Sequence, residues 1–388
     1  MKAFNYHQST KIIFGTGRIN ELADIVLQYG KRALLVTTPA NITALQQQYD
    51  KVKDILKGKN VSVAHFDGVI PNPTVDSISR GAKMARDFKA EVIIGMGGGS
   101  SMDSAKAISV EATHEGTSWD YLFFKTPQPD PAKLLPVIAV STTSGTGSQV
   151  TQVAVVTNTQ TRDKSALFND ILYPQICIID PELMLSVPKF VTATTGFDVL
   201  CHAFESTIHS NSGPYIDLLA WESISLVHKY LPQVLANLND PSLRERMAWA
   251  DTLGGLSIAN AGTTLPHGMG MAIGGMYPHV AHGEALAIVY PAFADFTWEA
   301  AIPQFAKLAR ILNPSLVSAS DRDAARKSSE EIVEFLKVLG LSKRLRDVNM
   351  PENEIEALAK QCMVLPDYKG NPRIATELEM TELIRSVF

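Results

Sequence analysis

Cysteine is scarce in this chain: three in 388 residues, far apart at Cys177, Cys201 and Cys362. That excludes a disulfide framework and any paired-cysteine metal site, and it fits a reducing compartment. Charge is also thin. Charged residues make up 19% of the chain, the net charge is −5, and no run of Lys or Arg stands out. Nothing recommends a nucleic-acid partner. No uninterrupted apolar run approaches the roughly 18 residues of a membrane span. The opening MKAFNYHQSTKIIF has no apolar signal core, so a cytoplasmic protein with no membrane partner is expected. Internal repeats and low-complexity segments are lacking too. What is abundant is apolar side chain, at 45% of residues. A chain of this length is too long for one ordinary core, so two domains are expected.

The two halves have different patterns. In the first, short β-branched runs alternate with amphipathic stretches. ALLVT (33–37), VSVAHF (61–66), EVIIGM (91–96), PVIAV (136–140) and ICIID (176–180) predict strands. Segments around 17–29, 41–57, 74–89 and 101–112 predict helices between or before them. Strands alternating with helices predict a mostly parallel sheet in α/β layers. Beyond DPELMLSVPKF (180–190) the periodicity is helical, with almost no strand signal. The expectation is a Rossmann-like α/β domain over 1–187 and an all-α domain over 188–388.

Two glycine- and hydroxyl-rich segments each follow a predicted strand. In EVIIGMGGGSSMDSAKAIS, Gly97, Gly98, Gly99 and Ser100 lie between a strand and a helix. Glycines let backbone approach a ligand, and the N–H groups opening a helix favour an anion such as a pyrophosphate. Asp103 is expected in the first turn, where it helps cap that helix. VSTTSGTGSQVT (140–151) follows another strand, and its hydroxyls can wrap a polar ligand or simply face water. Both loops are expected at the carboxyl edge of a parallel sheet, where open α/β sheets bind nucleotides.

The second half holds GFDVLCHAFE (196–205), in which Asp198 and His202 stand four residues apart in an apolar helix and so share a face. Alone, such a pair reads as a local hydrogen bond. LPHGMGMAIGGMYPHVAHGEALAIVYP (265–291) adds His267, His279 and His282. Gly274, Gly275 and Pro278 are expected to interrupt any helix between them, so that His267 and His282 approach one point from two elements. One Asp and three His make a nitrogen and oxygen ligand set. It suits iron(II) or zinc and disfavours magnesium or calcium. His279 competes with His282 for the last place.

At this point the chain resembles the iron-dependent alcohol dehydrogenases, the family of lactaldehyde reductases, butanol dehydrogenases and propanediol dehydrogenases. The resemblance runs through KIIFGTGRINEL (11–22), PNPT (71–74), GGGSSMDSAKAI (97–108), STTSGTGSQVT (141–151), IIDPELMLSVP (178–188), TGFDVLCHAFES (195–206), HG (267–268), HGEALAIVYP (282–291) and NPR (371–373). It implies a dinucleotide-binding α/β domain followed by a helical domain. It implies Asp198, His202, His267 and His282 as ligands of Fe(2+), or of Zn(2+), because glycine and a small apolar run follow the family's last ligand. It implies NAD or NADP at Gly98, Gly99 and Ser100, with Asn72, Asp103, Thr142, Thr143, Thr146 and Lys164 at further cofactor positions. The implied reaction is reversible hydride transfer between the nicotinamide and a small alcohol or aldehyde, in a homo-oligomer. The sequence also departs from the family pattern. Met271 stands where many members carry a second histidine, and His279 is the candidate proton relay in its place. The spacing from His267 to His282 is one residue longer than usual, and Gln149 replaces a common Glu. Thr38 replaces an acid that disfavours a cofactor 2′-phosphate, which leaves NAD against NADP open. The alternative within the wider superfamily is a glycerol-dehydrogenase-like or dehydroquinate-synthase-like metalloenzyme.

Overall fold

The computed structural model describes residues 3–388. The chain forms two compact units. One comprises Gln8–Pro188 with Leu238–Ala248; the other comprises 3–7, Lys189–Asn237 and Trp249–Phe388.

The first unit is built on a six-stranded sheet with every neighbouring pair parallel. Its strands are β1 (Lys11–Phe14), β2 (Arg32–Val36), β3 (Ser62–Phe66), β4 (Val92–Gly97), β5 (Val137–Ser141) and, after a hairpin of β6 (Val153–Asn158) and β7 (Asp163–Phe168), β8 (Ile176–Ile179). The spatial order is β1-β8-β5-β4-β2-β3. Helices α1 (Leu22–Val26), α2 (Thr43–Gly58), α3 (Val75–Phe88) and α4 (Gly99–Glu111) link the early strands. Alternating residues divide the core between the sheet's two faces. Ala33, Leu35, Ile94 and Val140 pack with Tyr49, Val52 and Leu56 of α2. Leu34, Val36, Ile93 and Val137 pack with Ile78 and Ala82 of α3 and with Ala105 and Ile108 of α4. Strands buried on both faces read as near-continuous apolar runs, which is why β2, β4, β5 and β8 are visible in the sequence. From β3 the chain crosses back to the other side of β2, so the order reverses between β2 and β4. That is the switch point where such sheets open a crevice at their carboxyl ends.

Beyond Pro188 the chain is helical: α5 (Lys189–Ile208), α6 (Pro214–Ala236), α7 (Pro241–Ala261), α8 (Leu265–Met276), α9 (His282–Thr297), α10 (Ile302–Leu312), α11 (Asp321–Leu339), α12 (Ile355–Cys362), α13 (Asp367–Gly370) and α14 (Glu377–Ser386), all in the second unit except the part of α7 up to Ala248. The expected α/β-then-helical fold class holds. No helix among the described residues is long and apolar enough to cross a membrane.

Three local expectations are corrected. Gly274 and Gly275 do not interrupt a helix: α8 runs through both, buried, and ends at Met276 just before Pro278. Glycine in a helix costs only about 1 kcal/mol, whereas proline removes a hydrogen bond and clashes. Helix α4 starts at Gly99, inside the glycine run, so Asp103 falls beyond the first turn and caps nothing. The segment around 17–29 is a 3-10 turn (Arg18–Glu21) leading into the short α1.

Candidate metal centre and nucleotide loops

Strands β5, β4 and β2 are adjacent, and their carboxyl ends carry Thr142, Gly97 and Thr38. Thr142 N donates to Gly97 O at 3.0 Å, tying the two glycine- and hydroxyl-rich loops together. A Cβ at Gly98 would lie 3.0 Å from Thr143 Oγ1, and one at Gly99 would lie 2.6 Å from Thr146 Cγ2. Only glycine lets the hydroxyl loop lie on the opening of α4. No side chain caps that helix, so its terminal N–H groups and their dipole remain available to an anion. Asn72, at φ 54°, accepts a hydrogen bond from Lys164 Nζ at 2.8 Å. The β6–β7 hairpin that carries Lys164 is hooked to this turn, with Thr157 N donating to Pro73 O at 2.7 Å. Thr38 Oγ1 lies 3.1 Å from the Tyr49 hydroxyl.

Asp103 turns inward. Its Oδ1 accepts from Ser148 Oγ at 2.6 Å and its Oδ2 from Val155 N at 3.1 Å. Burial pushes this carboxyl up, and neighbouring Lys106 opposes the shift. Lys106 is fully buried. Its Nζ reaches Ser148 O and Oγ, Thr151 O and Val153 O at 2.7 to 3.0 Å. Burial brings the amine down to about 8 against the pull of Asp103. Together these two residues fasten the end of the hydroxyl loop to α4.

In the helical unit, Asp198 and His202 lie one turn apart on α5, with Asp198 Oδ1 3.6 Å from His202 Nε2. His267 enters from the first turn of α8. Its ring stacks on His202 with centroids 4.6 Å apart, and its Nε2 lies 3.4 Å from Asp198 Oδ1. His282 opens α9, its ring 5.3 Å from that of His267. Asp198, His267 and His282 place one ligand atom each within 4.8 Å of one another. His202 joins them through its contacts with Asp198 and His267. Gly283 permits the approach: a Cβ there would lie 2.0 Å from Thr194 O of α5. Any other residue would push the start of α9 away from α5, and His282 with it.

Asp198 Oδ1 and His267 Nε2 are buried and make no hydrogen bond, although they face each other. Buried polar atoms without partners are costly, and a cation between them would satisfy both. Burial alone would raise the Asp198 pKa, but the facing imidazoles outweigh it and hold the carboxyl at about 2. Burial likewise pushes His267 down, yet Glu205 and Asp198 raise it to about 10. The site attracts positive charge. Its nitrogen and oxygen donors fit iron(II) or zinc.

Glu205 is absent from the sequence-based expectations. It is fully buried one turn beyond His202. Its Oε1 lies 2.6 Å from His267 Nδ1, and its Oε2 accepts from Thr264 N at 2.7 Å and Thr264 Oγ1 at 3.2 Å. A carboxylate on Nδ1 orients the ring and leaves Nε2 as the ligand atom. The spacing was the signal, since Asp198, His202 and Glu205 stand at i, i+4 and i+7. His279 has a different setting from the other histidines. It is exposed, in the turn between α8 and α9, with Nε2 2.9 Å from Val348 O. Met271 and Gln149 are both buried.

Residues 9–181 match the family described as iron-containing alcohol dehydrogenase, and residues 192–388 match its C-terminal family. The chain is 33% identical to the 1,3-propanediol dehydrogenase of Klebsiella pneumoniae, covering all of this chain and 99% of the relative. It is 34% identical to the choline dehydrogenase of Bacillus subtilis, over 97% of this chain and 93% of that one. Among solved structures, an alcohol dehydrogenase of archaeal origin from a Red Sea brine pool superposes with a TM-score of 0.94 at 31% identity, with both chains fully covered. Two matched segments in family order, joined to this fold, establish that the chain belongs to the iron-containing alcohol dehydrogenase family.

Proposed function

We propose that the protein is a metal-dependent, NAD(P)-linked alcohol dehydrogenase that interconverts a small alcohol and its aldehyde or ketone. The observation that carries this reading is the pair of buried, unbonded atoms Asp198 Oδ1 and His267 Nε2, 3.4 Å apart and next to His202 and His282. Asp198, His202, His267 and His282 would hold Fe(2+), or Zn(2+). When bound, the ion supplies Lewis acidity toward the substrate oxygen, and the nicotinamide supplies the hydride acceptor.

The chain's own residues do the rest. Asp198 balances part of the ion's charge. Glu205 fixes the orientation of His267. Gly98, Gly99 and Ser100, at the opening of α4, would take the pyrophosphate. Thr142, Thr143 and Thr146 border it from the neighbouring loop, and the Asn72–Lys164 pair stands at the edge of the hairpin. Thr38 offers a hydroxyl rather than a carboxylate to the far ribose, so NADP meets no negative charge there. Met271 carries no exchangeable proton, so proton removal does not pass through residue 271. His279, the candidate proton relay, stands apart from the four ligands, with its Nε2 2.9 Å from Val348 O.

The test pairs metal analysis of freshly purified protein with oxidation of NADH and NADPH by a short panel of aldehydes. About one iron or zinc per chain is expected from the four-ligand set, with turnover abolished by chelator. In His267→Ala, metal content and turnover should fall together. A variant that keeps both would overturn the ligand assignment.

A further inference from the structure

His282 reaches the candidate metal centre by a different route from its partners. Asp198 and His202 lie well inside α5, His267 lies in the first turn of α8, and all three are buried. His282 is half-buried and is the first residue of α9. Residues 277–281 alone join α8 to α9. Within them Val280 N donates to Tyr277 O at 3.0 Å, and no side chain caps the start of α9. The place of His282 therefore depends on what holds this turn from outside. One segment holds it at three points. Tyr277 Oη donates to the Glu354 carboxylate. His279 Nε2 donates to Val348 O at 2.9 Å. Lys343 Nζ donates at 2.7 Å to Oε1 of Glu284, a buried acid in the first turn of α9. All three partners lie within residues 343–354, between α11 and α12. That segment is itself fixed: Leu345, Val348 and Met350 are buried, and Leu345 N donates to Val387 O at 3.0 Å.

An ion held by four groups leaves only after one of them lets go. A half-buried group on a short turn opens more readily than groups inside buried helices, because local opening starts where the fewest contacts must break. We propose that residues 343–354 form a latch on the His282 turn: the ion enters and leaves by opening of this turn, and Tyr277, His279 and Glu284 are positioning residues that set the rate. This rests on the four-ligand reading given above. The latch contacts run from protein to protein and none is made by a proposed ligand, so they hold the closed turn equally with and without the ion. Breaking one of them therefore speeds release and loading together, and moves the equilibrium affinity less than either rate. His279, which competes with His282 in the sequence, serves the centre as a tether.

The experiment uses cobalt(II) as the probe, because its ligand-field absorption reports the bound ion directly. Release is followed as the decay of that absorption in excess EDTA, and loading as its rise when cobalt(II) is mixed with metal-free protein. The proteins compared are the wild type, His279→Ala, Lys343→Met and His279→Gln. His279→Ala and Lys343→Met should each release the ion about 3- to 10-fold faster, the worth of one net hydrogen bond, and load it faster by a similar factor. His279→Gln keeps an N–H for Val348 O and should release at close to the wild-type rate. Unchanged release in both His279→Ala and Lys343→Met, faster release without faster loading, or a glutamine variant as fast as the alanine one overturns the latch and leaves the metal centre standing. A wild type that takes up no cobalt overturns the four-ligand reading and the latch with it.

Discussion

Glu205 accepts on one side from the His267 ring and on the other from Thr264, with no exposed surface. Glutamine in its place can accept from only one of these, because its amide nitrogen must then face an N–H donor. In Glu205→Gln the affinity for iron or zinc should drop about 10- to 100-fold. Competition with a chromophoric chelator reads this out, and unchanged affinity would rule out a positioning role. The residue scale is also where the sequence is least legible. Asp198 and His202 stand out because charge is rare in α5. Glu205 sits on the same face but lacks the metal-ligand look of a histidine. The partners of the His282 turn are harder still. Nothing in KRLRDVNMPENE marks a segment that the fold carries back to Tyr277 and His279.

At the scale of elements, strands buried on both faces announce themselves, and β2, β4, β5 and β8 are all legible as apolar runs, while the edge strand β3 shows through the alternation of VSVAHF. The short edge strand β1 has an exposed and a half-buried end, so its KIIF carries too little signal. The β6–β7 hairpin is readable in VAVVT followed by the polar NTQTRD, but a loop-rich neighbourhood hides it. The last helix, α14, shows how local chemistry sets a boundary. Thr376 and Glu379 form a reciprocal cap, with Arg373 donating to the same carboxylate at 2.8 Å. These partners lower the Glu379 pKa from 4.5 to about 2, the Thr376 backbone bond first among them. A depressed acid stabilises the fold above its ordinary value and loses that contribution as pH falls from 4.5 toward 2. Glu379→Ala should cost about 1 kcal/mol near neutral pH. Urea midpoints taken at neutral pH and again below the ordinary carboxylate range should show the gap to wild type narrowing in acid. A gap that widens there would contradict the cap.

For the whole molecule, the proposed ligands converge from α5, α8 and α9, which are separated by as many as 84 positions between Asp198 and His282. No segment of the unfolded chain contains the full set, so a bound ion favours the folded state alone. At a thousandfold excess over its dissociation constant it would add about 4 kcal/mol. Calorimetry with and without chelator should show the helical unit melting roughly 10 °C higher when loaded. Coincident melting curves would mean that the four groups do not close on one ion. The two glycine- and hydroxyl-rich loops have the opposite character. Lys106 holds backbone oxygens at three residues, 148, 151 and 153, and Asp103 clasps the serine and the next strand. A loop already frozen by its own buried ammonium has little disorder left to surrender. An anion docking on α4 therefore meets a finished mould, and its release should be governed by the contacts it breaks rather than by any reordering of the protein around it.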